Sequence, residues 1–333
     1  MSGLGLTFLR RGGQAHPTAG SDYIKFADQA VFDVLMANGV SSDGVGITKD
    51  DAARVTSIGL WFRSNAQIKS FNEFAYFVAL TSLDASAFAY SSIEEITLPS
   101  SVASIGRDAF YQTKNARVIN IIWENVTTIG EQAFYDTSAV FDNVNAENLT
   151  SIGAQAFTNT SVKRLNLGKI AVIAGQDPNV GWFGKKSDLE EAVISPTMTN
   201  LPTRLFYRYS ALKKINVENV QTTGGSSLAG SGVEELNFKS IITLNDSCCL
   251  DTTKLKKITL GANCTSIVQN NFRGNSVDVV IIEAVTPPTL GGSNGTLANS
   301  NIYVPDASVD SYKSASVWSN YAANIKGISE YQG

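Results

Sequence analysis

Apolar residues recur in this chain as a six-residue unit, apolar-x-x-apolar-x-apolar, and not as the continuous stripe of a long helix. The unit reads IEEITL from Ile93, ARVINI from Ala116, FDNVNA from Phe141, VKRLNL from Val162 and LEEAVI from Leu189. It continues as LKKINV from Leu212, VEELNF from Val233, LKKITL from Leu255 and VDVVII from Val277, with a weaker copy, IKSF, at Ile68. Successive units begin 21 to 27 residues apart, a period that belongs to repeat architectures. The first, fourth and sixth positions are predicted to point inward and the x positions outward from a strand. One such coil cannot bury its apolar side alone, so coils must stack into a common core. The expectation is a solenoid with parallel strands starting near each anchor, all in one sheet.

A second unit follows the first. It reads ASIGRDAF ending at Phe110, TTIGEQAF ending at Phe134 and TSIGAQAF ending at Phe157, with looser copies ending at Phe206 and Phe272. The Ile-Gly step is expected to turn the chain. The Ala-Phe pair is expected to sit on a short turn or helical segment and plug the opposite wall of the coil. The stretch ITLPSSVASIGRDAF, residues 96–110, resembles the BspA-like leucine-rich repeats of Bacteroidales and other mucosal microbes. The likeness covers roughly residues 66–285 and loosens after Leu167, where several copies lack the Ile-Gly step. It implies a leucine-rich-repeat parallel β-solenoid with cell-surface or adhesive roles, and it brings no catalytic residue with it.

Bare terminal coils would expose apolar faces, so caps are expected. The division read from the sequence is an arm at 1–20, a helical cap at 21–65, repeats at 66–285 and a mixed strand and helix cap at 286–333. FADQAVFDVLMANG reads as a helix capped by Asp28 and closed by Gly39, and TKDDAARV as a second one capped by Thr48 with Asp51 three residues on. The linking loop at 40–51 resembles an EF-hand or dockerin loop, but its ligand positions hold Val40, Ser42 and Gly44, and only Asp51 falls on the closing position. A degenerate helix-loop-helix cap without metal is therefore expected. At the other end NIYVP reads as the last strand, Asp306 as a helix cap, and Val309, Tyr312, Trp318 and Tyr321 as the cover of the final coil. The Gly-rich arm, with Phe8, Arg10 and Arg11 in GLTFLRRGG, reads either as a disordered tail or as a docking element with those three as its candidate residues.

Composition narrows the chemistry. The 333 residues are 43% hydrophobic and carry a net charge of −4, which argues against nucleic acid or an anionic membrane as partner. Apolar runs such as 118–123 are far shorter than the ~20 residues of a membrane span, and the opening lacks the pattern of a secretory signal. Cys248, Cys249 and Cys264 are odd in number and lack CxxC spacing, so they read as small buried hydrophobes. His16 is the only histidine, which leaves no material for a Ser-His-Asp, Cys-His or histidine-metal site. Adjacent acids such as Glu94–Glu95 lie on outward strand positions, and no glycine cluster matches a phosphate loop. No catalytic activity and no cofactor are expected.

The outward positions alternate in sign from coil to coil. After Lys69 come Glu94 and Glu95, then Arg117, Asp142, Lys163 and Arg164, Glu190 and Glu191, Lys213 and Lys214, Glu234 and Glu235, Lys256 and Lys257, and Asp278. These residues are the candidate interaction surface. Read together, neighbours ~4.8 Å apart neutralise one another, so the series also reads as a zipper that orders the coils. Asn120, Asn145, Asn166, Asn216 and Asn237 are expected to form a polar row beside it. The sequence thus points to a scaffold with protein partners. It reads first as a structural or attachment protein of a phage infecting Bacteroidales-like bacteria, since GLTFLRRGGQAHPTAG resembles phage-encoded repeat proteins of that group. The alternative is a bacterial surface adhesin. A glycan-binding module would need exposed aromatics on the strand face, and there are almost none.

Overall fold

In the computed structural model, which describes residues 22–170, 182–292, 294 and 297–333, the chain winds as flat two-walled coils. The first, fourth and sixth positions of every repeat face inward. Ile93, Ile96 and Leu98 are buried, as are Leu255, Ile258 and Leu260 and their counterparts; only Ile121 and Ile215 are partly covered. Every paired strand among the described residues is parallel.

The first wall is not one sheet, contrary to expectation. It divides into Ser70–Phe71, Glu95–Thr97 and Val118–Asn120; then Val144–Asn145, Arg164–Asn166, Glu191–Val193 and Lys214–Ile215, preceded in their coils by a separate pair, Val140–Phe141 with Ser161–Val162; then five strands from Glu235–Phe238 to Ile325–Gly327. A bulky side chain marks the first break. After Val118–Asn120 the chain tightens into a 3-10 turn at Trp123–Asn125, where the Trp123 ring packs on Phe134, Phe141 and Phe157. On the paired side of Lys214–Ile215, toward the preceding coil, the Asn216 amide bonds the backbone of Ile194 in both senses: the Ile194 N–H donates to Oδ1 at 2.7 Å, and Nδ2 donates to the Ile194 carbonyl at 3.0 Å. A side chain here takes the place of the next ladder bond, and the strand stops at Ile215.

The second wall corrects the reading of the Ile-Gly step. The Ser-Ile or Thr-Ile before each glycine is itself a two-residue strand, as at Ser104–Ile105, Thr128–Ile129 and Ser151–Ile152, and these pair in parallel along the stack. The glycines do not turn the chain. A Cβ on Gly106, Gly130 or Gly153 would lie 2.6, 2.4 or 2.2 Å from the backbone of the preceding coil. Glycine is required there for close approach. The turn lies further on, where left-handed residues flank each Ala-Phe pair: Asp108 and Gln112, Gln132 and Asp136, Gln155 and Asn159. Their twist aims alternate N–H groups along the stack, as when Asp108, Phe110 and Gln112 donate to the carbonyls of Glu131, Ala133 and Tyr135 at 2.9, 2.7 and 2.8 Å.

The Ala-Phe pairs plug the core as expected. Phe62, Phe88, Phe110, Phe134 and Phe157 form a file of near-parallel rings 5.0 to 5.5 Å apart. Cys248 and Cys249 occupy the same pair of slots in their own coil, since Leu228, in a phenylalanine slot, donates to the Cys248 carbonyl just as Phe110 donates to that of Ala133. All three cysteines are buried and unbridged.

Both ends are closed. Helix α1, Gln29–Ala37, is capped by Asp28, whose carboxylate accepts from Ala30 N–H at 2.9 Å and, with its other oxygen, from Ser70 N–H at 3.1 Å, tying the cap to the first strand. Helix α2, Lys49–Ala53, has the reciprocal Thr48–Asp51 capping box. At the C-terminus, α3, Val309–Ser314, is held by buried anchors: the Tyr312 hydroxyl donates to the Ala284 carbonyl and the Trp318 indole to the Pro288 carbonyl, both at 2.7 Å. Val309 and Tyr321 pack partly buried beside them. Two expectations fail here. Asn301–Val304 is followed by a further parallel strand, Ile325–Gly327. Asp306 does not cap α3; it accepts from the Ser329 hydroxyl at 2.8 Å and so holds that last strand in place.

Candidate functional site: the charged strand face

The outward charges of the first wall meet across coils as the alternation requires. Glu94 lies between Lys69 at 3.3 Å and Arg117 at 3.8 Å. Lys163 reaches Asp142 at 2.7 Å, Lys213 reaches Glu190 at 3.7 Å, Lys257 reaches Glu235 at 2.8 Å and Lys256 reaches Asp278 at 3.7 Å. In register, Arg164 lies beside Glu191 and Glu191 beside Lys214. The hydrogen bond between Lys163 and Asp142 holds the carboxyl below its ordinary range and pushes the ammonium up. The hydrogen bond that Lys257 donates to Glu235 likewise raises its ammonium, and a second donated to the Tyr331 hydroxyl adds to this against partial burial. These side chains are largely exposed, so each pair contributes little alone.

The zipper has a gap at the second sheet break. Lys213 and Lys214 share a groove there with Ile215, Glu218, Glu234, Glu235 and Asn237, but the strands on its two banks are not paired. Among the described residues the lysines make no ion pair to Glu234 or Glu235. The expected position of Lys213 and Lys214 between two acidic neighbours holds on the Glu190–Glu191 side only.

The asparagine row is also broken. Asn120 donates to Thr97, which donates to Asn72, and Asn166 donates to Asn145, all at 2.9 to 3.0 Å. Asn216 turns to the backbone instead, and the buried Oδ1 of Asn237 has no partner among the described residues.

Elsewhere the chemistry is structural. In the loop at 40–51, Asp43 accepts from the Val45 and Gly46 N–H groups at 2.8 and 3.2 Å, and from Tyr23 and Ser41. Asp51 is buried in its capping box and bridged by Arg54. Both carboxylates thus close the loop on itself. No group of three metal-ligating side chains occurs among the described residues. Phe8, Arg10, Arg11 and His16 lie outside the described residues.

Two ladders were missed in the sequence. One is buried and polar: the Thr113 hydroxyl donates to Thr137 at 2.8 Å, Thr137 donates to the Thr113 carbonyl at 3.3 Å, and Thr252 and Asn275 donate to carbonyls of the coil before theirs at 3.2 and 2.7 Å. Its signal is a hydroxyl or amide three residues after most phenylalanine slots, which a search for apolar periodicity passes over. The other is aromatic and superficial: Tyr90 meets Tyr111 edge-on at 5.3 Å, and Tyr111 stacks on Tyr135 at 5.0 Å, along the turn edge.

A model of the BspA type leucine rich repeat region matches residues 62–176 and 180–287, in six copies. No curated protein matches the chain. Among solved structures, a leucine-rich repeat protein from Bacteroides ovatus is 18% identical over 74% of this chain and 69% of its own, with a TM-score of 0.39. The pneumococcal vaccine antigen PcpA is 15% identical over 75% and 70%, with a TM-score of 0.36. A leucine rich cell surface protein from Faecalibacterium prausnitzii is 16% identical over 78% and 69%, with a TM-score of 0.30.

Proposed function

Because the chain belongs to the BspA-type leucine-rich-repeat family, we propose that it is a non-catalytic scaffold for protein–protein contact, serving as a structural or attachment component of a phage virion. The observation that carries the scaffold reading is the double-walled stack itself. Backbone ladders run along both walls and the turn edge, so rows of side chains are presented at fixed spacing over a long surface, the usual means of recognition by solenoids. The virion reading draws support from the likeness of GLTFLRRGGQAHPTAG to phage-encoded repeat proteins, with Phe8, Arg10 and Arg11 as docking residues. A bacterial surface adhesin is the alternative, favoured by the family's adhesive roles.

The charged strand face, from Glu94 to Asp278, is one candidate contact surface. Its charges serve stacking first, since most are already paired with the next coil. Quantitative mass spectrometry of purified virions, beside outer-membrane fractions of uninfected cells, tests the assignment. The virion reading expects the chain at the abundance of structural proteins in the particles. Its presence in the membrane fraction of uninfected cells would establish the adhesin instead.

A further inference from the structure

The turn edge carries aromatic side chains that the strand face lacks, and one stretch of it is hollow. One residue after each ring of the phenylalanine file the chain reads Arg63, Ala89, Tyr111 and Tyr135. The small Ala89 leaves a cleft of about 200 Å³, with Arg63 from the coil before and Tyr111 from the coil after. Tyr90, Asp108 and Gln132 also line it. These three are left-handed, at φ 59°, 55° and 53°, and Tyr90 is the one aromatic residue among the described left-handed positions. A bulky ring adopts that region at a cost, and strained residues of this kind collect where a surface is used.

The groups around the cleft are balanced in charge and short of partners. Tyr111 lies within 13° of parallel to Tyr135, whereas Tyr90 stands at 65° to Tyr111 and is 49% exposed. The Tyr90 ring therefore lies outside the stacked file. Asp108 Oδ2 pairs with Arg107 at 3.3 Å, while Oδ1 is buried without a hydrogen-bond partner among the described residues. A covered carboxylate oxygen without a donor is costly, and a ligand hydroxyl would supply one. Arg63 is exposed and makes no ion pair among the described residues, where the arginine bridges belong to Arg54, Arg107 and Arg117. Gln132 gives its amide N–H to Gln155 at 2.9 Å, which leaves its carbonyl oxygen to accept. One cation beside one anion disfavours a strongly charged ligand of either sign. An open ring with acceptors and a donor around it suits a neutral polyol.

We propose that this cleft binds a neutral sugar residue of a surface polysaccharide. A pyranose has an apolar C–H face, which packs on the Tyr90 ring, and a rim of hydroxyls that both donate and accept. On that rim Asp108 and Gln132 accept and Arg63 donates. An aromatic surface with a few convergent polar groups is the usual way a small ligand is oriented. A neutral sugar brings no charge for Asp108 to repel, as an acidic peptide or a phosphate would. The site goes beyond the protein-contact reading above, and its aromatics lie on the turn edge and not on the strand face.

The test is saturation-transfer difference NMR of the full chain with mannotriose, galactotriose, maltotriose and chitotriose in turn. Tyr90→Gly and Asp108→Ser are the informative variants. Glycine already fills the slot of Tyr90 at Gly230 and Gly274, and serine that of Asp108 at Ser226 and Ser247, so folding should be kept. The expected result is saturable binding of at least one of these sugars, with transfer strongest to its ring C–H protons. Each variant should weaken it about tenfold or more, and Lys256→Gln/Lys257→Gln on the strand face should leave it unchanged. Binding of none of these sugars, or equal loss in the strand-face control, would overturn the proposal. So would a deca-glutamate peptide that binds the edge and that the sugars fail to displace, since the occupant would then be a protein. The virion and membrane fractionation is independent of this titration, so the two readings can fail separately.

Discussion

A methyl group on Gly130 would lie 2.4 Å from the backbone nitrogen of Arg107 and 2.6 Å from the carbonyl carbon of Gly106. Neither atom can yield without parting two coils. Gly130→Ala should therefore cost about 2–3 kcal/mol in chemical denaturation, the range of overpacked cores. Gly292→Ala, with nothing within 4 Å of its Cβ, should leave the midpoint unchanged. The same scale explains why the glycine was misread. Its constraint comes from a residue one coil away, and a local pattern of Ile-Gly followed by polar residues resembles a turn. The cysteines were legible as buried small residues, while their place in the Ala-Phe slots was not, since no Ala or Phe marks it. Burial pushes the Cys264 thiol up to about 11, partly offset by the Ser266 N–H, and a hydrogen bond shared with Cys248, together with burial, raises Cys249. A thiol reagent at pH 8 should leave the folded chain unmodified and label it on unfolding. Cys248→Ala should shift stability by less than about 1 kcal/mol, because alanine fills that slot at Ala109, Ala133 and Ala156.

The elements owe their order to files of like side chains. Phe134 is stacked between Phe110 at 5.5 Å and Phe157 at 5.0 Å, and both Trp123 and Phe141 pack on it. Phe134→Ala should cost about 3–5 kcal/mol and Phe134→Leu clearly less, measured by denaturant unfolding. Equal losses would mean that ring stacking is not what fills the slot. The buried hydroxyl file should respond differently. Thr137→Val keeps the shape but leaves the Thr113 hydroxyl with only the Phe110 carbonyl as partner, at a cost of about 1 kcal/mol. The repeat units, their inward positions and both cap helices were readable because periodicity and capping are local. The division of the first wall into separate sheets was not, since it depends on which neighbouring coils pair, as where the chain tightens at Trp123 after Val118–Asn120. The last strand was hidden for a similar reason, because Ile325–Gly327 matches no repeat and is positioned by Asp306 through Ser329.

At the scale of the molecule the charges act as a sum. Asp142, hydrogen-bonded to Lys163, is held below its ordinary range. Its contribution is present above the unfolded carboxylate range and fades as pH falls through its lowered value; the raised Lys163 keeps its charge throughout that window. Acid should weaken the solenoid accordingly, and more at low ionic strength than at high. The ladder was legible in sequence as alternating signs, but its gap beside Glu234 and Glu235 was not, because that depends on which strands pair. If the strand-face charges hold coil to coil, reversing them must lower the melting temperature. The deciding comparison is Lys256→Glu/Lys257→Glu beside Lys213→Glu/Lys214→Glu, at low salt and at 1 M, where the Debye length falls to about 3 Å. The first pair meets acids on both sides, Glu235 and Asp278, and the second on one, Glu190. The prediction is a fall of several degrees for the first variant at low salt, a smaller fall for the second, and near recovery of both at 1 M. Unchanged melting in both variants, with loss of incorporation into virions or of adhesion, would contradict it and make the strand face the recognition surface.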